Sequence, residues 1–150
     1  MSVEDRLMEL GIELPEPIQP AANYVRYLQT GNLLYISGTG PEGHVPAGKV
    51  GTGVSEEEAY QAARSVGLQI LATAKQALDG DLDRITRVVK VLGMVNSAPD
   101  FDRHPWVING CSDLFVEVLG ERGRHTRSAV GMAALPLQIC VEIEATFEVE

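Results

Sequence analysis

The sequence predicts a single α+β domain: a β-sheet with two helices on one face, in the order β-β-α-β-α-β-β after a short N-terminal helix. Three observations carry that reading. A sustained 3.6-residue apolar period starts at Ser55, short apolar or aromatic runs flank it on both sides, and a second helical stretch follows Pro105. The chain has 150 residues, enough for one real core, and no repeat, low-complexity tract or boundary divides it.

Taken in order, Val3 to Leu10 places apolar residues at positions 3, 7 and 10, with Ser2 as N-cap and Gly11 just beyond. Pro15, Pro17 and Pro20 then make an extended lead-in, so residues 1–20 precede the sheet. Tyr24 to Gln29 and Leu33 to Ser37 read as a β-hairpin around Thr30-Gly31-Asn32. Gly38 to Gly53 is rich in Gly and Pro and reads as a long loop, with room for a short strand near Lys49-Val50.

Ser55-Glu56-Glu57-Glu58 is a capping box: the serine hydroxyl accepts from the N–H three residues on, and the glutamate reaches back. Ala59, Ala62, Ala63, Val66, Ile70, Ala74 and Leu78 keep the helical period up to Gly80. Arg87 to Val95 reads as a buried strand. Pro105 suits the first turn of a helix running to about Leu119, with Ile108, Cys111, Phe115, Val118 and Leu119 facing inward.

Composition excludes several classes. A net charge of −9, from 12 basic and 21 acidic residues, opposes nucleic-acid binding and docking on an anionic membrane. No apolar run reaches membrane-spanning length, and the N-terminus has neither a basic n-region nor an apolar h-region. Cys111 and Cys140 form no CxxC pair, so a reducing cytoplasm is the expected location. His44, His104 and His125 have no metal-ligand spacing and read as exposed polar histidines, so no metal is expected. Cys111 reads as core.

Two nucleotide-like patterns fail. Gly38-Thr39-Gly40-Pro41-Glu42-Gly43 matches G-x-G-x-x-G, but the helix that would hold a pyrophosphate waits until Ser55. Gly43 to Val50 nearly spells a P-loop, but Val50 replaces the hydroxyl residue that reaches magnesium.

The stretch Arg127 to Glu144 holds two apolar runs either side of Leu135-Pro136-Leu137-Gln138 and reads as a core hairpin. On the residues alone, Arg127 is either a solvated strand-end arginine or a carboxylate ligand. Glu142, alternating with Val141 and Ile143, is either solvent-facing or a water-handling group.

Thr126-Arg127-Ser128, Leu135-Pro136 and Val141-Glu142-Ile143-Glu144 resemble, at matching spacing, the C-terminal signature of the reactive-intermediate deaminase (YjgF or L-PSP) family. Asn23-Tyr24-Val25, Ile36-Ser37-Gly38 and Asn109 followed by Phe115 resemble further segments of it. The resemblance implies a chorismate-mutase-like fold and a homotrimer with clefts between subunits. It also implies hydrolysis of 2-imino or enamino acids to 2-oxo acids and ammonia, without metal or organic cofactor. Arg127 would grip the substrate carboxylate and Glu142 would orient or deprotonate water. Gly38 would let backbone approach the ligand; Tyr24, Ser37 and Asn109 would line the pocket. Many members carry Cys two residues after the arginine; Ala129 stands here, so its contribution would come from its backbone carbonyl. Two alternatives are an endoribonuclease or translation inhibitor, opposed by the charge, and a non-catalytic binder of small carboxylates. A catalytic variant would deaminate a ring-cleavage amino acid such as aminomuconate, since the segment Ser97 to Trp106 is longer than in short members.

Overall fold

The computed structural model describes residues 1–43 and 46–150. Helix α1 (Val3–Glu9) is capped by Ser2, whose hydroxyl accepts from the Asp5 N–H at 3.0 Å while the Asp5 carboxylate accepts from the Ser2 N–H at 3.2 Å. Val3 and Leu7 bury its inner side. The Val3 N–H donates to Asp83 Oδ1 (3.0 Å) and Arg6 Nε to the Glu117 carbonyl (2.9 Å), docking the helix on the domain.

Strands β1 (Tyr27–Thr30) and β2 (Leu33–Thr39) form the expected hairpin, turning at Gly31 with φ of +59°. β1 begins at Tyr27 rather than Tyr24. The preceding residues still hold β2: Ser37 N–H donates to the Arg26 carbonyl (2.9 Å) and Ser37 Oγ to the Val25 carbonyl (2.6 Å). β2 continues past Ser37 to Thr39, and its register against the last strand shifts between Ile36 and Thr39. Near Lys49-Val50 only isolated bridges form, from Val50 to Val54 and Ser97.

Helix α2 (Glu56–Ala77) carries the predicted capping box, a device worth about 1 kcal/mol. β3 (Ile85–Asn96) and α3 (His104–Leu119) match their expected positions closely. The helices approach through glycines. A Cβ on Gly110 would lie 2.1 Å from the Tyr60 carbonyl oxygen, and one on Gly67 would lie 2.9 Å from Leu114 Cδ2. That contact sets how close α3, and with it Asn109, lies to α2.

The five-stranded mixed sheet has the order β1-β2-β5-β3-β4, with β4 (Thr126–Met132) parallel to β3 and β5 (Val141–Val149) antiparallel to both β2 and β3. This corrects the expected hairpin over Arg127 to Glu144: β4 and β5 are separated by β3. The connection must therefore cross about 10 Å, twice the strand spacing, which a four-residue turn cannot do. It crosses the end of β3 through a 3-10 turn at Pro136–Gln138, with Leu137 and Gln138 in left-handed backbone at +56° and +58°. Buried Asn96 staples the crossing. Its N–H donates to the Cys140 carbonyl (2.9 Å), its Nδ2 to the Ile139 carbonyl (3.2 Å), and its Oδ1 accepts from Lys49 Nζ (2.9 Å). Lys49 also donates to the Ala133 carbonyl.

The core lies between the helices and one sheet face, where Val88, Val91, Val95, Val141, Ile143, Ala145 and Phe147 alternate inward. Among the described residues, no helix lies on the other face. Glu142, Glu144 and Thr146 of β5 project from it, and apolar or aromatic side chains of that region stay exposed, including Tyr24, Leu28 and Tyr35.

Candidate functional site

The residues singled out in the sequence fall into two groups on opposite faces of the sheet. The first lies on the helix-bearing face, at the edge strand β4. Arg127 Nη1 donates to Asn109 Oδ1 at 2.8 Å and to Ser112 Oγ at 3.1 Å, both on α3. A guanidinium has five N–H hydrogens, two of them on Nη1. Both are committed inside the protomer, which leaves Nε and Nη2 without a partner among the described residues. Those two nitrogens form the side-on edge that matches a carboxylate with parallel bonds. No carboxylate of the described residues lies within ion-pair distance of Arg127. Ala129 follows on the same face of β4 and packs partly against the core.

The second group lies on the open face. A Cβ added to Gly38 would stand 2.6 Å from Glu142 Oε2, so the carboxylate rests in the space a side chain would fill. The missing Cβ at Gly38 is what lets the carboxylate lie this close to the backbone. Behind it, Arg26 is 94% buried, from a relative exposure of 6%, and has no ion-pair partner among the described residues. Its Nη1 donates to the Gly38 carbonyl (3.0 Å) and the Tyr24 hydroxyl (3.3 Å), its Nη2 to Thr39 Oγ1 (2.6 Å), and its buried Nε has no partner among the described residues. Tyr24 and Ser37 line a depression of about 710 Å³ together with Tyr35, Lys90, Leu92 and Glu144. Ser37 spends its hydroxyl proton on the Val25 carbonyl.

The two groups do not converge within one chain. Arg127 is in register with Val91, and Glu142 with Met94 on the far side of β3. Each side chain leaves its strand on a different face, because one contacts α3 and the other covers Gly38 on the helix-free side.

The histidines correct the sequence reading. His125 is half-buried. Its Nε2 lies 2.9 Å from Ser112 Oγ, its Nδ1 lies 2.6 Å from the Gly123 carbonyl, and burial followed by repulsion from Arg127 lowers its pKa. His104 Nε2 lies 3.1 Å from Ser97 Oγ, beside a cavity of about 500 Å³ that Lys49 and Gly131 also line. His44 lies outside the described residues. Cys111 is fully buried, and burial pushes its thiol far above the ordinary range, so it is core rather than nucleophile. Among the described residues no three His, Cys, Asp or Glu side chains gather in a metal-like group.

Comparison with known proteins follows the same lines. A family model described as "YjgF/chorismate mutase-like, putative endoribonuclease" matches residues 4–146. The chain belongs to the YjgF/chorismate mutase-like family. Protein TCP17 of Trypanosoma cruzi is 44% identical over 97% of this chain and 93% of its own length. The crystal structure of Atu1372, a protein of unknown function from Agrobacterium tumefaciens, has a TM-score of 0.91 at 47% identity, covering 99% of this chain and 92% of that one. A structure from Shewanella oneidensis MR-1, titled a putative endoribonuclease, has a TM-score of 0.94 at 32% identity, covering 99% and 100%.

Within this YjgF-type chain, reading the sequence missed three residues. His125 precedes Arg127 by two positions on β4's approach, and Ser112 follows Asn109 by three on a helix, so both share a side with a residue already chosen. That spacing could have found them. Arg26 carried no such signal, because a single arginine between aromatic and apolar neighbours does not announce its burial.

Proposed function

We propose that this protein hydrolyses 2-imino or enamino acids to 2-oxo acids and ammonia, in clefts where one subunit of a homotrimer supplies Arg127 and a neighbour supplies Glu142. The observation that carries this reading is the Arg127 guanidinium, held through both Nη1 hydrogens with its Nε–Nη2 edge left for a carboxylate. The separation of Arg127 from Glu142 on opposite faces supports a site completed by a second copy. So does the exposed apolar surface of the helix-free face, which a lone subunit would leave in water.

In the proposed reaction the imine R–C(=NH)–COO⁻ binds through its carboxylate to Arg127. Glu142 takes a proton from water as the water oxygen bonds to the imine carbon, and the C=N π electrons move to nitrogen. That proton returns to the nitrogen to give the carbinolamine. Its hydroxyl proton then passes to the same nitrogen by way of Glu142 as the C–N bond breaks, so that ammonia leaves and the C=O bond of the 2-oxo acid forms. Positioning and general-base catalysis suffice, and a group of the Glu142 kind contributes about 10²- to 10⁴-fold. Asn109 fixes the arginine; Tyr24, Ser37, Gly38 and the Ala129 carbonyl would border the ligand.

The test is ammonia release from freshly generated 2-iminopropanoate. Turnover that survives Arg127→Ala unchanged would sink the assignment. A second reading follows from the Shewanella relative, described as a putative endoribonuclease. The charge of −9 opposes it, and RNA cleavage lost in Arg127→Ala would support it. No helix among the described residues is long and apolar enough to cross a membrane, and a cytoplasmic location is part of the proposal.

A further inference from the structure

The arginine does not stand on two contacts alone, because one of its partners is itself held. Gly123 offers His125 a carbonyl oxygen at 2.6 Å, and a carbonyl has no proton to give. The Nδ1 nitrogen must therefore carry the hydrogen, and in the neutral ring Nε2 is left as a bare acceptor. Ser112 Oγ, 2.9 Å from Nε2, has one proton, and Nε2 is where it goes. The serine's lone pairs then face Arg127 Nη1 at 3.1 Å. The chain has one direction: Arg127 donates to Ser112, Ser112 to His125, and His125 to the Gly123 carbonyl. Arg127's second Nη1 hydrogen goes to Asn109.

We propose that His125, acting through Ser112, is a positioning residue that fixes Arg127 with its Nε–Nη2 edge outward, and that only neutral His125 does this. The carboxylate role of that edge rests on the function proposed above; the chain itself does not. Protonating His125 puts a hydrogen on Nε2. Ser112 must then accept from both neighbours, its own proton loses its partner, and a second positive charge sits beside the guanidinium. Of the groups packed against the ring, Ser112 and Phe115 of α3 and the Gly123 carbonyl are uncharged, and Arg127 is the charged one. The ring's lowered pKa agrees with a histidine kept neutral at physiological pH.

The experiment reads Arg127 directly. The ¹⁵Nε–¹H signal of Arg127 gives the order parameter of its side chain without ligand, and calorimetry with 2-oxobutanoate gives binding between pH 5 and 8. Ser112→Ala and His125→Phe should drop the order parameter below about 0.6. They should also weaken 2-oxobutanoate binding about tenfold, the loss of one charge-assisted hydrogen bond. His125→Gln keeps an acceptor near the Nε2 position and cannot protonate. It should retain order and affinity at pH 7 and abolish the loss of binding expected of wild type in acid. An Arg127 order parameter unchanged in Ser112→Ala overturns the proposal, and that variant decides if His125→Phe does not fold. Loss of order with no 2-oxobutanoate binding to any form would uphold the chain while the carboxylate reading fails. Unchanged order with intact binding and turnover would do the reverse.

Discussion

On the helix-bearing side of the sheet, Arg127 is held by the directed hydrogen bonds it donates to α3, each with a named acceptor. On the open side, Glu142 is accommodated by an absence: Gly38 has no Cβ, and the carboxylate lies where one would be. Substitution should affect the two regions differently. The arginine region should be sensitive to the polarity of its neighbours and tolerant of small volume changes. The glutamate region should be sensitive to volume and tolerant of polarity.

The largest expected effect tests whether the regions meet across subunits. Arg127→Ala and Glu142→Gln should each lower kcat/KM for 2-iminopropanoate by about 10³-fold, within the range for a lost catalytic group. Mixing the two inactive proteins after unfolding and joint refolding should restore about a quarter of the sites, since each intact site needs one good half from each of two copies. No recovery in verified mixed trimers would show that the halves never form one site.

Next comes the fork itself. Arg127→Lys keeps the charge but loses the parallel pair of bonds, so KM should rise about 10- to 100-fold with kcat less affected. An equal loss in kcat alone would move the arginine's role from binding to the chemical step. Gly38→Ala should reverse that split, because a Cβ 2.6 Å from Glu142 Oε2 displaces the carboxylate. The end of a flexible side chain can move aside, so stability should change by less than about 1.5 kcal/mol while kcat falls about tenfold. A wild-type kcat in Gly38→Ala would remove Glu142 from water activation.

The smallest effect concerns stability. His125 has a folded-state pKa below its unfolded value, because burial and Arg127 disfavour its charge. As pH falls below the ordinary histidine range near 6.5, the unfolded chain takes up a proton that the folded chain refuses. Stability should therefore decline with acid until pH passes the folded pKa. Thermal melts from pH 7.5 to 5.5 should show a larger drop in Tm for wild type than for His125→Gln; equal drops would place the acid sensitivity elsewhere.

Much of the fold could be read from local pattern. The capping box at Ser55, the Gly31 turn, Pro105 at the start of α3 and the inward face of Ile108, Cys111 and Phe115 all stand where nearest-neighbour chemistry places them. The expected pairing of the last two strands did not survive, because pairing is a long-range choice. Short spacing favoured a hairpin, but β3 lies between the strands and Asn96 fastens the crossing over its end.

The candidate site divides in the same way. By itself the sequence determined that the fold is α+β, which residue types stand at Arg127, Asn109, Gly38 and Glu142, and that position 129 has no thiol. These follow from side-chain chemistry and from spacings of two or three residues along a strand or helix. Only the tertiary structure decided which face each group leaves from, that Ser112 and His125 stand behind Arg127, and that buried Arg26 stands behind Gly38. The reason is that a sheet inserts and orders its strands by packing over the whole domain. A residue's face and partners are thus set by strands distant from it in sequence, as β3 sets the separation of Arg127 from Glu142.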